Sequence, residues 1–421
     1  MGKQSRRKRE RTAGEGKAHR YLARVGLPER PDPVPYRRLV AADPEWYRQV
    51  SEADDAVVAL VEAADYEPET ILAANAARYR LLYRDLDTAL ADYASRPVMI
   101  AAAWLRWWFE YHPPATRLLD VGCGPGVLTC AYALAVPDAQ VVGIDAAPEA
   151  VACAEELARR LGAGNVSFVT GDYLDPAVDA ALGGPESFDQ LVAVAALADA
   201  GLYPLTPPAG LSSIADVEGP GLEFRSPGIE RLVGLVAPGG AVVAMERTPD
   251  VTQAVRLGAA LAHSGVDLDL GRDRSGVESF IEEGRVSTFT RFTGRRTVSR
   301  DTKAGGAPAS AEDGLPGLTT WLKRAPAPAY GAPWHDELRF EALQAEGAKL
   351  AWGSEIDYSP ASPNVERREI WEHGKDIYGW ITTTVGYREL VTGRTVESLW
   401  NEYGGYAGSF VARGLNVRFY P

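Results

Sequence analysis

The chain has 421 residues, 46% of them apolar, and a formal net charge of −13, so it exceeds one ordinary core and carries enough apolar surface for two domains or one much-extended domain. No run approaches the ~20 apolar residues of a membrane span, and the basic start lacks the apolar segment of a secretory signal, so a soluble, cytoplasmic protein is expected. Three cysteines (Cys123, Cys130, Cys153) make no disulfide framework and no CxxC pair, which excludes a readable zinc motif, and the acidic balance disfavours a general nucleic-acid binder.

Charge is unevenly spread. Residues 1–20 carry eight Lys or Arg against Glu10 and Glu15, a net of +6, which leaves −19 on the other residues. Such an arm can touch RNA or an acidic partner, but basic ends are more often solvated tails, and residues 1–30 are expected to be disordered. Residues 31–113 read as a helical cap: Asp54 opens one apolar segment, residues 67–93 form a second, and residues 97–111 a third containing Trp104, Trp107, Trp108 and Phe109. The apolar residues of this third segment spread around most of the helix, which implies burial on several sides. Packing explains these aromatics more simply than a substrate-pocket wall does. Pro113-Pro114 ends the segment.

From residue 114 to 300 strand and helix signals alternate, as in a mainly parallel sheet. Expected strands are 118–121, 140–144, 166–169, 190–197 and 241–245, with helices at 127–136 and from Pro148 to Gly162 or Gly164, and another closing at Pro238-Gly239-Gly240. A helix from Thr248-Pro249 through His263 follows, and 278–282 with 285–292 reads as a hairpin. Residues 301–332 are rich in Ala, Gly, Pro and Ser and read as a linker around one short segment near Trp321. Beyond it, a helix at 335–345 precedes strands at 378–387 and 410–419. Six of ten tryptophans lie after residue 320, which argues for a folded domain at 333–421. Its aromatics suit a core first, and a dimer interface or substrate platform after that.

Chemistry concentrates where open α/β sheets bind ligands, at the carboxyl ends of strands. Asp120-Val121-Gly122-Cys123-Gly124-Pro125-Gly126 joins the first strand to a helix through three glycines that admit close backbone approach. Asp145 ends the second strand, nineteen residues past Gly126, where a carboxylate accepts from both ribose hydroxyls; Asp172 in Gly171-Asp172-Tyr173 follows the third and suits an exocyclic amine. Each acid alone is more often a cap or turn residue, but the three features in order describe an adenosine site. A dinucleotide fingerprint would want glycine at 127, where Val stands, and a carboxylate at Asp120 would repel a pyrophosphate while attracting a cation. No Gly-Lys-Ser/Thr marks a triphosphate loop.

At these residues the chain resembles the class I S-adenosylmethionine (SAM)-dependent methyltransferases. Asp120 to Gly126 matches their glycine motif, Gly143-Ile144-Asp145 the ribose acid, and Gly171-Asp172 the adenine acid; Phe188-Asp189 and residues 235–240 precede strands four and five as in the family. The resemblance covers roughly residues 97–295 and leaves 1–95 and 330–421 unassigned. It implies a Rossmann-like seven-stranded sheet whose last hairpin adds one antiparallel strand, flanked by the helical N-terminal cap and a smaller β-rich α+β C-terminal domain. It further implies SAM as cofactor, no metal, and cofactor contacts from Asp120, Gly122, Cys123, Gly124, Gly126, Asp145, Ala146, Asp172, Tyr173 and Ala195.

The acceptor side carries no motif. Strand four runs into Ala195-Ala196-Leu197-Ala198-Asp199 without the Asn/Asp-Pro-Pro-aromatic sequence of base-amine methyltransferases, no Pro-Cys pair marks a pyrimidine carbon-5 enzyme, and histidine is absent between His112 and His263. Asp199 and Tyr203 are the candidate catalytic residues, with His112 and Glu246 behind them; for each, a structural role competes. Residues 198–226 form a Pro- and Gly-rich insertion expected to close over the pocket. The expected reaction is in-line methyl transfer to an O or N, or a C, of a small molecule. The alternatives are an RNA or protein acceptor guided by residues 1–20, and a non-catalytic scaffold retaining the fold; a homodimer is compatible with either.

Overall fold

The structure is a computed structural model that describes residues 3–62, 68–95, 97–173, 175–197, 226–248, 251–271, 274–282, 285–297, 311–325, 333–358, 365–384, 388–412 and 416–420. It forms two compact units: Met1–Thr248 with Thr252–Gly276 and Thr290–Leu315, and Pro249–Val251 with Val277–Phe289 and Pro316–Pro421.

In the first unit, helices α1 (Lys3–Val25), α2 (Val34–Ala42), α3 (Pro44–Glu62), α4 (Pro68–Leu82), α5 (Leu86–Ser95) and α6 (Val98–Tyr111) precede the sheet. The expected disordered tail is therefore corrected. Ala18, Tyr21, Leu22 and Val25 fall one above another at helical spacing and are all buried, so α1 has an apolar stripe that its charged composition hides. Gly14 lets α1 lie close to α6, since a methyl group there would stand 2.9 Å from the Arg106 carbonyl oxygen. The expected helix over 67–93 is broken between α4 and α5 because Asp85 turns back to accept from the Thr88 amide at 2.7 Å, an N-cap that starts a new helix. Helix α6 buries residues around most of its circumference. Trp104 donates from its indole to the Tyr132 hydroxyl at 2.5 Å, and the Trp108 ring lies 4.6 Å from Tyr132, so these aromatics are core.

The central sheet contains β1 (Arg117–Val121), β2 (Gln140–Asp145), β3 (Val166–Thr170), β4 (Phe188–Val194), β5 (Val236–Arg247), β6 (Val266–Leu268), β7 (Gly276–Glu282) and β8 (Arg285–Arg296). Seven strands follow one path, β3-β2-β1-β4-β5-β8-β6, and β7 pairs with β8. Pairings β1–β2, β2–β3, β1–β4 and β4–β5 are parallel, and β6–β8 is antiparallel. Strand β1 is buried on both faces, as parallel strands covered by crossover helices must be. Between the strands lie α7 (Val127–Ala135), α8 (Pro148–Leu161), the short α9 (Asp179–Leu182), α10 (Pro227–Gly234) and α11 (Val251–His263). Helix α8 starts with Pro148 and Glu149, ends with Arg159 and Arg160, and stops at left-handed Gly162, matching chain direction to helix dipole. Strand β4 stops at Val194 instead of 197 because Ala195 turns left-handed. The helix expected to close at Pro238-Gly239-Gly240 closes at Gly234, and β5 already includes those three residues.

Helix α12 (Ala311–Arg324) occupies part of the expected linker, and α13 (Pro333–Ala345) belongs to the second unit. Strands β9 (Lys349–Asp357), β10 (Val365–His373), β11 (Asp376–Thr383), β12 (Arg388–Val391) and β13 (Asn416–Tyr420) form a sheet in the order β12-β11-β10-β9-β13. Helix α14 (Val396–Val411) packs Leu399 and Tyr403 against Ile370 and Ile381, while Phe340 of α13 packs with Trp380 and Leu390 from the other face. The strand expected over 410–419 is corrected at its start. Thr395 caps α14 through the Ser398 amide, Leu399, Tyr403 and Ala407 bury one face four residues apart, and the helix runs on through Phe410.

Candidate functional site

Strand order reverses between β1 and β4, so the turn after β1 opens at the crevice where doubly wound sheets bind ligands. Gly122, Gly124 and Gly126 have φ of 67°, 51° and 77°, the left-handed region that L side chains avoid. They do different work. A methyl group on Gly122 would stand 2.5 Å from the Ala196 methyl, and one on Gly126 2.7 Å from that of Ala154, so these two admit neighbouring backbone. Gly124 faces nothing closer than the Tyr83 hydroxyl, 3.5 Å from where its side chain would start.

Asp145 at the end of β2 is fixed by two amides: Gly124 donates to Oδ2 and Ala147 to Oδ1, each at 2.9 Å. A carboxylate has about four acceptor directions, so these bonds set its plane beside Gly124. Ala146 is exposed next to it, and Asp172 is exposed after β3. Gly124, Asp145, Ala146 and Asp172 thus lie along the carboxyl edge of β1, β2 and β3.

Three of the expected contact residues serve the turn from behind. Asp120 is 2% exposed and accepts from the Thr129 hydroxyl at 2.5 Å; burial lifts its carboxyl to about 7 against the lowering bond from Thr129, and Asp145 adds to the rise. The Cys123 side chain is buried and its thiol is pushed up by burial, then by Asp145 and Asp120, which leaves its backbone as the surface a ligand can meet. Tyr173 is buried and donates to the Ala196 carbonyl at 2.9 Å. Ala195 is exposed at the end of β4 with φ 53°, a conformation held by the Met245 carbonyl, which accepts from its amide at 2.9 Å.

Glu246, ranked low from sequence, proves central to this edge. It is completely buried at the end of β5, and its Oε1 accepts from the Ala196 and Leu197 amides at 3.0 and 3.1 Å. The turn after β4 is therefore held by Glu246, by Tyr173 and by the bare α-carbon of Gly122. His112 stacks on Trp108 at 4.2 Å, and burial lowers its pKa; it belongs to the helix packing. Asp199, Tyr203 and the insertion at 198–225 lie outside the described residues. Tyr83, whose hydroxyl lies by Gly124, was not readable from sequence, because nothing local to a helical cap marks a residue that folds over a distant turn. Burial pushes the Tyr83 and Tyr93 hydroxyls up, with Asp145 among the further causes for Tyr83 and Asp120 for Tyr93.

Asp145 makes the field at the turn negative, and Asp120 behind it carries only part of a charge near neutral pH. Among the described residues no cluster of three His, Cys, Asp or Glu is placed to hold a metal. Close backbone access and negative charge suit a cationic ligand, and would oppose a pyrophosphate. Fold and site together define the central domain as a SAM-dependent methyltransferase domain.

Comparison of the sequence with known proteins agrees. Residues 112–221 match the family model described as a methyltransferase domain. The release factor glutamine methyltransferase of Deinococcus radiodurans is 32% identical over 182 residues, covering 40% of this chain and 58% of that protein. The ribosomal RNA large subunit methyltransferase G of Streptomyces avermitilis is 43% identical over 75 residues, 17% of this chain and 20% of that one. Among solved structures, an O-methyltransferase family protein from Burkholderia thailandensis aligns over 63% of this chain and 72% of its own, with 13% identity and a TM-score of 0.35. The chain thus spans between about a fifth and somewhat over half of these curated relatives' lengths. No helix among the described residues is long and apolar enough to cross a membrane.

Proposed function

We propose that this protein transfers the methyl group of SAM to an oxygen, nitrogen or carbon nucleophile of a small molecule. The observation that carries the reading is the bond from the Gly124 amide to Asp145, which fixes that carboxylate beside the one uncrowded glycine of the turn. When bound there, SAM supplies a methyl group on a positively charged sulfur, which needs orientation more than activation. Asp145 would receive the ribose hydroxyls, and Asp172 the exocyclic amine of adenine. Asp145 would offset the cofactor's positive charge, and Asp120 would add to this as it gives up its proton. Glu246 and Tyr173 hold the Ala195–Leu197 turn, against which the acceptor would approach, and Asp199 and Tyr203 are proposed to orient or deprotonate it.

Isothermal titration with SAM and with its demethylated product tests the cofactor reading. The wild type is expected to bind both, and Asp145→Ala to bind roughly ten- to a hundredfold more weakly, the loss of hydrogen bonds to a charged acceptor. A folded wild-type protein that binds neither refutes it.

A macromolecular acceptor is the second reading, favoured by relatives named for a release factor and for ribosomal RNA. The small-molecule reading is supported by the net charge of −13 and by the Tyr79–Tyr83 stack, which puts an aromatic ring beside Gly124. Transfer of labelled methyl from SAM to fractionated cell extract separates the two: label in the low-mass fraction supports the first, and label in protein or RNA the second.

A further inference from the structure

Tyr83 follows α4, and three contacts restrain it. Its ring stacks on Tyr79 with centroids 5.5 Å apart and planes at 3°, its amide donates to the Tyr79 carbonyl at 2.8 Å, and its carbonyl accepts from the Cys153 thiol of α8 at 3.3 Å. The restrained ring puts its hydroxyl 3.5 Å from the missing side chain of Gly124, the one glycine of the turn that no packed backbone or methyl group crowds. The hydroxyl has no hydrogen bond among the described residues, although the side chain is only partly exposed. A hydroxyl that bonds to no protein group and is held at the face of Gly124 is placed to donate to whatever lies against that glycine.

We propose that Tyr83 is a cofactor-binding residue, donating its hydroxyl hydrogen to SAM where the cofactor lies against Gly124. This rests on the methyltransferase reading above and extends the site to the N-terminal helices. Two further facts agree. Burial keeps the hydroxyl protonated well beyond neutral pH, so it acts as a donor, and the Asp145 carboxylate is close enough to contribute to that rise. The stack holds the ring and the Cys153 bond holds the backbone that carries it, so little rotamer freedom is lost on binding.

The test compares wild type with Tyr83→Phe, which removes one oxygen and no intramolecular hydrogen bond. Titration with S-adenosylhomocysteine is expected to show roughly five- to tenfold weaker binding for the variant, the usual effect of one lost hydrogen bond. The melting temperature without ligand is expected to be unchanged or higher. Repeating the titration with 5′-methylthioadenosine locates the contact: an equal loss assigns it to the ribose, and retained affinity assigns it to the amino-acid tail. Affinity for S-adenosylhomocysteine within twofold of wild type overturns the inference while leaving the methyltransferase reading intact. So does a loss accompanied by a lower melting temperature of the free protein, which would make Tyr83 a packing residue. Absence of binding by the wild type overturns the reading itself.

Discussion

Asp120→Asn is expected to remove a specific pH dependence of stability. Asp120 is 2% exposed and bonded to Thr129, and burial raises its carboxyl to about 7, with Asp145 adding to the rise. In the unfolded chain the same group releases its proton near ~4. Between those values the folded state holds a proton that the unfolded state has lost, so stability falls as pH rises, and the contribution is gone above the folded value. Three units at ~1.4 kcal/mol each make the full effect about 4 kcal/mol, of which about 3 kcal/mol falls between about pH 5 and pH 8. Cys123, Cys130, Tyr93 and Tyr132 surround the group, and all are pushed up, so they do not titrate in this window. Asn keeps an acceptor for the Thr129 hydroxyl without the charge. Urea unfolding of both proteins at about pH 5 and about pH 8 is the assay. The wild type is expected to lose about 3 kcal/mol relative to the variant across the interval. Parallel pH profiles would refute the buried, proton-holding Asp120. A cationic ligand lowers such a pKa, so SAM binding is also expected to release protons near neutral pH in the wild type and fewer in the variant.

Two further outcomes test the surrounding structure. Glu246→Ala leaves the Ala196 and Leu197 amides as buried donors without an acceptor, at roughly 1–3 kcal/mol each, so a loss of about 2–6 kcal/mol in chemical unfolding is expected, with Glu246→Gln much milder. A loss under about 1 kcal/mol from the alanine variant would show that the turn after β4 does not depend on this carboxylate. Leu22→Ala is expected to cost about 2–5 kcal/mol, because Leu22 is fully buried on α1. An unchanged unfolding midpoint would restore the disordered tail expected from composition.

The class of cofactor was legible in the sequence because it depends on short-range chemistry. Gly122, Gly124 and Gly126 must be glycine wherever the turn is left-handed, and Asp145 must follow its strand directly to meet the turn it serves. The alternation of strand and helix likewise reports local periodicity, and it predicted the order of elements from β1 to β5. Where local signals competed, the sequence misled: the charges of residues 3–20 masked the stripe at Ala18, Leu22 and Val25, and the strand-like composition of 410–419 suggested a strand in place of the last turn of α14. What only the tertiary structure decided are pairings across long separations. Glu246 reaches amides 50 and 49 residues earlier, and the Tyr21 hydroxyl reaches the Val127 carbonyl across 106. No pattern of neighbours encodes such a meeting, because it follows from strand order and from which helix lies over which turn. That is why Asp120 looked like a ligand-facing charge and proved to be a buried acid behind the turn, and why Tyr83, silent in sequence, stands over Gly124.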